Sequence, residues 1–222
     1  MRISRVLGVI GKLVCLFSFG FSAPLLLSLW DGWKSGTGNY AEAIPFGAAF
    51  AITWVCGWAM TLGFKKGLQF QRSEALGVVA GSWFIIAHFA AIPYLWEGMS
   101  FANAIFESMS GFTSTGATIL IDFDAHNRAF FLWRSITQWI GGLGIIALFV
   151  VILPQLGIAG RQLFFAESSE SPNEIISARV KESARKLWIL YLSLTIGVVV
   201  MLMAVSGWSV YDSVCHALTT VS

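Results

Sequence analysis

Apolar residues run almost unbroken through five stretches of the chain, residues 6–30, 41–64, 73–96, 130–153 and 187–208. Each is about 20 residues or longer, the length a helix needs to cross a hydrocarbon core about 30 Å thick. The pattern predicts an all-α polytopic membrane protein. Polar residues gather between the runs: Asp31, Lys34 and Glu42; then "KKGLQFQR" at 65–72; then residues 97–129; then "GRQLFFAESSESPNEIISARVKESARK" at 160–186.

Basic residues concentrate on alternate breaks. Arg2 and Arg5 precede the first run and Lys12 lies near its start, Lys65, Lys66 and Arg72 follow the second, and Arg161, Arg179, Lys181, Arg185 and Lys186 precede the fifth. Because cytoplasmic loops carry the excess of Lys and Arg, this predicts a cytoplasmic N-terminus. Asp31, Glu42, Glu97, Asp122 and Asp124 then fall outside. The third run must end outside and the fourth must start there, so residues 97–129 begin and end on one side. Within them "SFANAIFESMSG" (100–111) has helical character but spans only about 16 Å, half a membrane. Next comes "FTSTGATIL", so that residues 108–120 hold six Ser or Thr and two Gly between apolar flanks. A half-helix followed by Gly- and Thr-rich chain returning to the same side describes a re-entrant loop. Irregular backbone at membrane depth is tolerated only when buried in protein or lining a wet cavity. The competing reading is a polar external turn.

The chain also repeats. A shift of 109 residues lays "NAIFESMSGFT" (103–113) over "DSVCHALTTVS" (212–222) with conservative pairs, among them Asn103/Asp212, Met109/Leu218 and Ser110/Thr219. The repeating unit is helix, half-helix, loop, helix, and the second copy is incomplete. Three segments follow: 1–66, an N-terminal transmembrane helix pair; 67–160, a first helix–pore-loop–helix repeat; and 161–222, a cytoplasmic connector with the first half of a second repeat.

Composition agrees with this picture. The chain is 56% hydrophobic and 12% charged, against about 25% charged in soluble domains. A net charge of +2 gives no reason to expect nucleic acid as a partner. Cys15, Cys56 and Cys215 lack ligand spacing and read as small packing residues. "FSAP" at 21–24 is a weak cleavage-like pattern, but the first apolar run is long for a cleaved signal and is expected to be retained.

The chemistry of residues 113–118 is that of oxygen ligands. A permeating cation sheds water, and successive backbone carbonyls can replace it, as in K⁺ filters. Glycine allows the positive φ such a backbone needs, and a half-helix directs the negative end of its dipole at the ion. Ser and Thr hydroxyls add ligands or braces.

"FESMSGFTSTGATIL", "FLWRSITQWIGGLGIIALFVVILPQLG" and "VYDSVCHALTTVS" together resemble the potassium-translocating subunits of the Trk/Ktr family, of the TrkH type, over residues 73–222. The first two helices correspond to that family's extra N-terminal pair by position alone. The resemblance implies four helix–pore-loop–helix repeats around one pore, of which this sequence holds the N-terminal part. It assigns Ser114, Thr115, Gly116 and Ala117 to a K⁺-binding filter segment centred on Gly116, with potassium at Thr115 and Gly116 and with Thr113 and Thr118 flanking. It makes 103–111 a pore helix and 212–220 its second-repeat counterpart. It further implies K⁺ uptake with Na⁺ or H⁺ coupling (symport), a homodimer of the full-length subunit, a cytoplasmic nucleotide-binding regulatory subunit, and a multi-pass place in the bacterial inner membrane. One filter segment and a second pore helix do not close a fourfold filter, so a fragment is the favoured reading of the chain.

Glu107 sits on the pore helix and Arg134 just inside the fourth run; they are candidates to brace the filter, against snorkelling of Arg134 to headgroups. Asp122 and Asp124 either concentrate cations or form a solvated loop. His88 and His216 read as packing residues, "GGLG" at 141–144 as a close helix contact, and "RVKESARK" at 179–186 as a solvated face or a regulator contact. The alternatives to a K⁺ pathway are a truncated, non-transporting membrane protein and an intramembrane serine protease using Ser110 with His88 or His216. The latter needs a base in hydrogen-bond reach and a hole for the oxyanion; here the Ser–Gly ends an amphipathic half-helix and Ser110 has Thr219 as its repeat partner, and the chain is read as no enzyme.

Overall fold

A computed structural model describes residues 3–36, 40–62, 72–123, 125–156 and 172–222. The expectations made for Arg2, Lys65, Lys66, Asp124 and Arg161 lie outside the described residues. Nine α-helices are present among those described: α1 (Ile3–Ser18), α2 (Ser22–Lys34), α3 (Ile44–Thr61), α4 (Arg72–Ala90), α5 (Ile92–Trp96), α6 (Phe101–Phe112), α7 (Arg128–Leu156), α8 (Pro172–Ser206) and α9 (Val210–Val221). Among the described residues, four spans are long and apolar enough to cross a membrane: Ile3–Lys34, Ala41–Thr61, Leu76–Trp96 and Glu182–Ser206. The apolar run at 130–153 lies inside α7. Leu16, Leu26, Val55, Phe84 and Ile196 stand exposed on these helices. Apolar surface turned outward along whole helices suits lipid, where no hydrophobic penalty attaches to it.

Helix breaks follow the prolines. Pro24 and Pro93 lack the N–H that would bond one turn back. A single 3-10 turn, Phe19–Phe21, separates α1 from α2 just ahead of Pro24, and Pro93 opens α5 directly after α4.

Two compact units divide within α7, Met1–Gln138 and Trp139–Ser222. In the first, Val6, Ile10 and Val14 of α1 are buried against Met60, Val78, Ile85, Ile86 and Phe89. The α1–α3 crossing rests on two glycines. A Cβ on Gly57 would lie 2.8 Å from the Cys15 nitrogen and 2.9 Å from the Gly11 carbonyl oxygen; one on Gly11 would lie 2.6 Å from the Gly57 oxygen. Backbone atoms cannot yield as a flexible side chain can, so Gly57→Ala is expected to force the helices apart at about 1–3 kcal/mol, the usual cost of overpacking. Thermal unfolding in detergent checks this: an unchanged midpoint would mean that the crossing is looser than described. Cys15 joins the same crossing, its Sγ 3.6 Å from the Trp54 carbonyl oxygen. Cys215 is buried and Cys56 partly so, and all three are free thiols.

In the second unit the Tyr191 hydroxyl donates to the Trp139 carbonyl at 3.1 Å, and the Trp139 indole N–H donates to Thr195 Oγ1 at 3.1 Å. Gly142, in the "GGLG" stretch, admits this contact: a Cβ there would lie 2.5 Å from the Tyr191 hydroxyl.

The 109-residue shift reappears in the backbone. It carries the bounds of α6, Phe101–Phe112, onto those of α9, Val210–Val221. Ser100 and Ser209 are both N-caps in extended conformation (φ −61°, ψ 154° and φ −60°, ψ 157°), accepting from the amides of Asn103 and Asp212. Two residues earlier, Gly98 and Gly207 both have positive φ. Both half-helices are longer than the expected 103–111 and 212–220, because each begins at its cap serine.

Candidate functional site

The short helix α6 is held by contacts that its sequence places on separate faces. Ser108 donates to the Ala87 carbonyl at 2.5 Å, tying α6 to α4. Phe112 packs edge-on against Phe17 at 5.4 Å. Gly111 lies so close to α7 that a Cβ would stand 2.6 Å from Thr137 Oγ1. On α7, Trp133 stacks on Phe21 at 4.2 Å and donates its indole N–H to the Ala90 carbonyl at 3.0 Å. The helix is therefore wedged between two apolar spans, with its C-terminal turn inside the protein.

The chain then folds back on that turn. The amides of Thr113, Ser114, Thr115 and Gly116 donate to the carbonyls of Met109, Gly111, Ser110 and Ser110, at 2.8, 2.8, 3.0 and 3.3 Å. Ser114 (φ 53°) and Gly116 (φ 70°) both adopt left-handed backbone. Thr113 Oγ1 bonds Thr115 Oγ1 at 2.7 Å and donates to the Met109 carbonyl at 2.8 Å. Ser114 Oγ reaches the Gln138 carbonyl at 3.3 Å.

Behind the loop sits an ion pair. Glu107 is completely buried, and Arg134 Nε donates to its Oε2 at 3.1 Å. Its other oxygen accepts from Thr118 Oγ1 and from the Ile119 amide, both at 2.7 Å. Arg134 Nη2 donates to the carbonyls of Gly116 at 3.1 Å and Ala117 at 3.3 Å. The planar guanidinium thus serves a carboxylate and two carbonyls at once, which suits its forked donors. Buried charges need such pairing, since desolvation of either alone costs several kcal/mol.

The eight residues singled out from the sequence, Glu107, Thr113, Ser114, Thr115, Gly116, Ala117, Thr118 and Arg134, are brought together here. They divide into two groups. The carbonyls of Gly116 and Ala117 take hydrogen bonds from Arg134; among the described residues none reaches the carbonyls of Thr113, Ser114 or Thr115. Three partners were not foreseen as such: Ser110, whose hydroxyl donates to the Ala117 carbonyl at 2.6 Å, Gln138, and Thr137 against Gly111. Ser110 is five to seven residues from its loop partners, and only its polarity on an otherwise packed helix hinted at it. That bond also occupies the Ser110 hydroxyl, while His88 Nδ1 lies 2.7 Å from the Phe84 carbonyl of its own helix.

Beyond the loop a cavity of about 280 Å³ is lined by Glu97, Asn103, Asp122 and His126 among others. His126 Nδ1 lies 3.3 Å from Glu97 Oε2, and Arg128 pairs with Asp31 at 3.0 Å.

Residues 45–222 match the model of a family described as TrkH, cation transport protein. The chain is 32% identical to the Trk system potassium uptake protein TrkH of Vibrio parahaemolyticus, across 100% of this chain and 45% of that one. It is 33% identical to the Trk system potassium uptake protein TrkG of Escherichia coli, across 96% and 43%. In three dimensions it is similar to the crystal structure of the potassium transporter TrkH from Vibrio parahaemolyticus, with a TM-score of 0.77 at 30% identity, covering 98% of this chain and 42% of that one. The chain spans less than half the length of these relatives.

Proposed function

Because this chain belongs to the TrkH family of cation transport proteins, we propose that it forms part of a K⁺ uptake pathway and contributes one carbonyl-lined filter segment. The observation that carries the reading is the loop at 113–118, folded on the end of a half-helix and backed by the Glu107–Arg134 pair. Ser114, Thr115, Gly116 and Ala117 form the segment, with Thr113 and Thr118 at its edges. Potassium is held at Thr115 and Gly116. The carbonyls of Ser114 and Thr115, which take no hydrogen bond among the described residues, are the stronger ligands; Gly116 supplies the left-handed turn, and its carbonyl keeps a second lone pair beside the Arg134 bond. Glu107 offsets the guanidinium charge, so that it does not repel the ion.

The segments 1–66, 67–160 and 161–222 are in this reading a helix pair, one complete repeat and the first half of another. Such a subunit sits in the bacterial inner membrane with its N-terminus in the cytoplasm, as the distribution of Lys and Arg favours. The full-length subunit works as a homodimer under a cytoplasmic nucleotide-binding regulator, with Na⁺ or H⁺ coupling.

Transport of radiolabelled Rb⁺ tests the proposal. In cells lacking K⁺ uptake, the polypeptide carrying this sequence is expected to restore growth at low K⁺ and to take up Rb⁺. Residues 1–222 alone in liposomes are expected to show no flux, because one filter segment does not surround an ion. Flux from that chain alone would favour self-assembly of several copies.

A further inference from the structure

We infer that Ser110 is the positioning residue that sets ion discrimination at this loop, an assignment that rests on the filter reading above. Three hydrogen bonds converge on it. Its carbonyl accepts the amides of Thr115 at 3.0 Å and Gly116 at 3.3 Å, and its hydroxyl donates to the Ala117 carbonyl at 2.6 Å. One residue of the helix therefore grips the loop on both sides of its turn. It is 6% exposed, so water does not compete for these bonds.

The consequence is a sorting of carbonyls. With the 115 and 116 amides drawn to residue 110 and the 117 carbonyl capped by its hydroxyl, the Ala117 oxygen is directed into the protein. Among the described residues, no donor reaches the carbonyls of Thr113, Ser114 and Thr115. Arg134 also reaches Ala117, but at 3.3 Å, the longer of its two carbonyl bonds. The serine bond is the shorter of the two on that oxygen. A filter discriminates by where its oxygens sit and how firmly they stay there. Releasing the 117 carbonyl lets the segment close on a smaller ion, so a lost hydroxyl here shows as relaxed discrimination rather than lost transport. The 109-residue shift places Thr219, another hydroxyl, at the matching position of α9.

The pore helix supplies its own control. Ser108 is also buried and also donates to a carbonyl, but to Ala87 on α4, away from the loop. Rb⁺ uptake and its competition by Na⁺ would be measured for the full polypeptide carrying Ser110→Ala, Ser110→Thr, Ser108→Ala and Gly116→Ser, each normalised to protein in the membrane. Ser110→Ala is expected to lower the preference for Rb⁺ over Na⁺ about fivefold, the equivalent of one typical hydrogen bond, and Ser110→Thr to restore it. Ser108→Ala is expected to reduce the amount of protein and leave the preference unchanged. The assignment is overturned if Ser110→Ala keeps the parental preference, or if Ser108→Ala moves it equally. Should Gly116→Ser also keep the preference, the filter reading itself fails; should Gly116→Ser lose it while Ser110→Ala does not, only the role of Ser110 falls.

Discussion

Replacing Gly116 with Ser is expected to reduce discrimination of K⁺ from Na⁺ by tenfold or more, on the order of 1–2 kcal/mol of backbone strain acting at the ion's own ligands. Space is not the obstacle. A Cβ at 116 would meet Gln138 Nε2 at 3.6 Å and Oε1 at 3.8 Å, ordinary contact distances. The obstacle is a φ of 70°, which an L-residue adopts at a cost. The loop already holds one such residue, Ser114 at φ 53°. A second would be relieved by turning the peptide, which rotates the Gly116 carbonyl off Arg134 and disturbs the neighbouring Thr115 carbonyl. Gly98 gives the matching control. Its φ is 85° and nothing lies within 4 Å of its Cβ position, so Gly98→Ala carries the same backbone penalty in an open turn. That variant should lose a little stability and keep its ion preference. Competition of Rb⁺ uptake by Na⁺ measures both, and a Gly116→Ser protein that still prefers Rb⁺ would remove Gly116 from the filter.

The second large effect lies behind the loop. Glu107→Ala or Arg134→Ala is expected to destabilise the protein by about 3–5 kcal/mol, because each leaves its partner buried and unpaired. Glu107→Ala also strips acceptors from Thr118 Oγ1 and the Ile119 amide, while Arg134→Ala strips donors from the Gly116 and Ala117 carbonyls. The double replacement should cost less than the sum of the singles, since it leaves no stranded charge. Arg134→Lys should not rescue. An ammonium is a point charge and cannot span Oε2 of Glu107 and two carbonyls together. Thermal unfolding in detergent for the cycle, with Rb⁺ uptake alongside, decides the matter. Single variants as stable as the parent would show that the pair holds nothing in place.

Much of the architecture was legible without coordinates, and the reasons are local. Apolar run lengths located the spans, and parity placed a half-helix between the third and fourth. The cap serines Ser100 and Ser209 begin their half-helices through amides only three residues on, Asn103 and Asp212, which is why a simple shift of the sequence registers two copies so closely. Gly116 could be singled out because a left-handed turn is a property of one residue.

The site's wiring was legible only in outline. Glu107 and Arg134 stood out as charges in apolar surroundings, but they are 27 residues apart, and their pairing depends on how α6 is wedged between α4 and α7. The direction of each carbonyl was not legible at all, because a peptide plane is set by φ and ψ on both sides and by whatever donor finds it. Nor could the sequence say that Gly57 would face Gly11 rather than lipid. The sequence by itself determined the class of the protein, its apolar runs, its repeat and the segment proposed as a filter, since these rest on hydrophobicity and neighbours within a turn. Tertiary structure alone decided which oxygens of that segment are tied down and which take no donor among the described residues, because that choice is made by Ser110 and by Arg134 from across the fold.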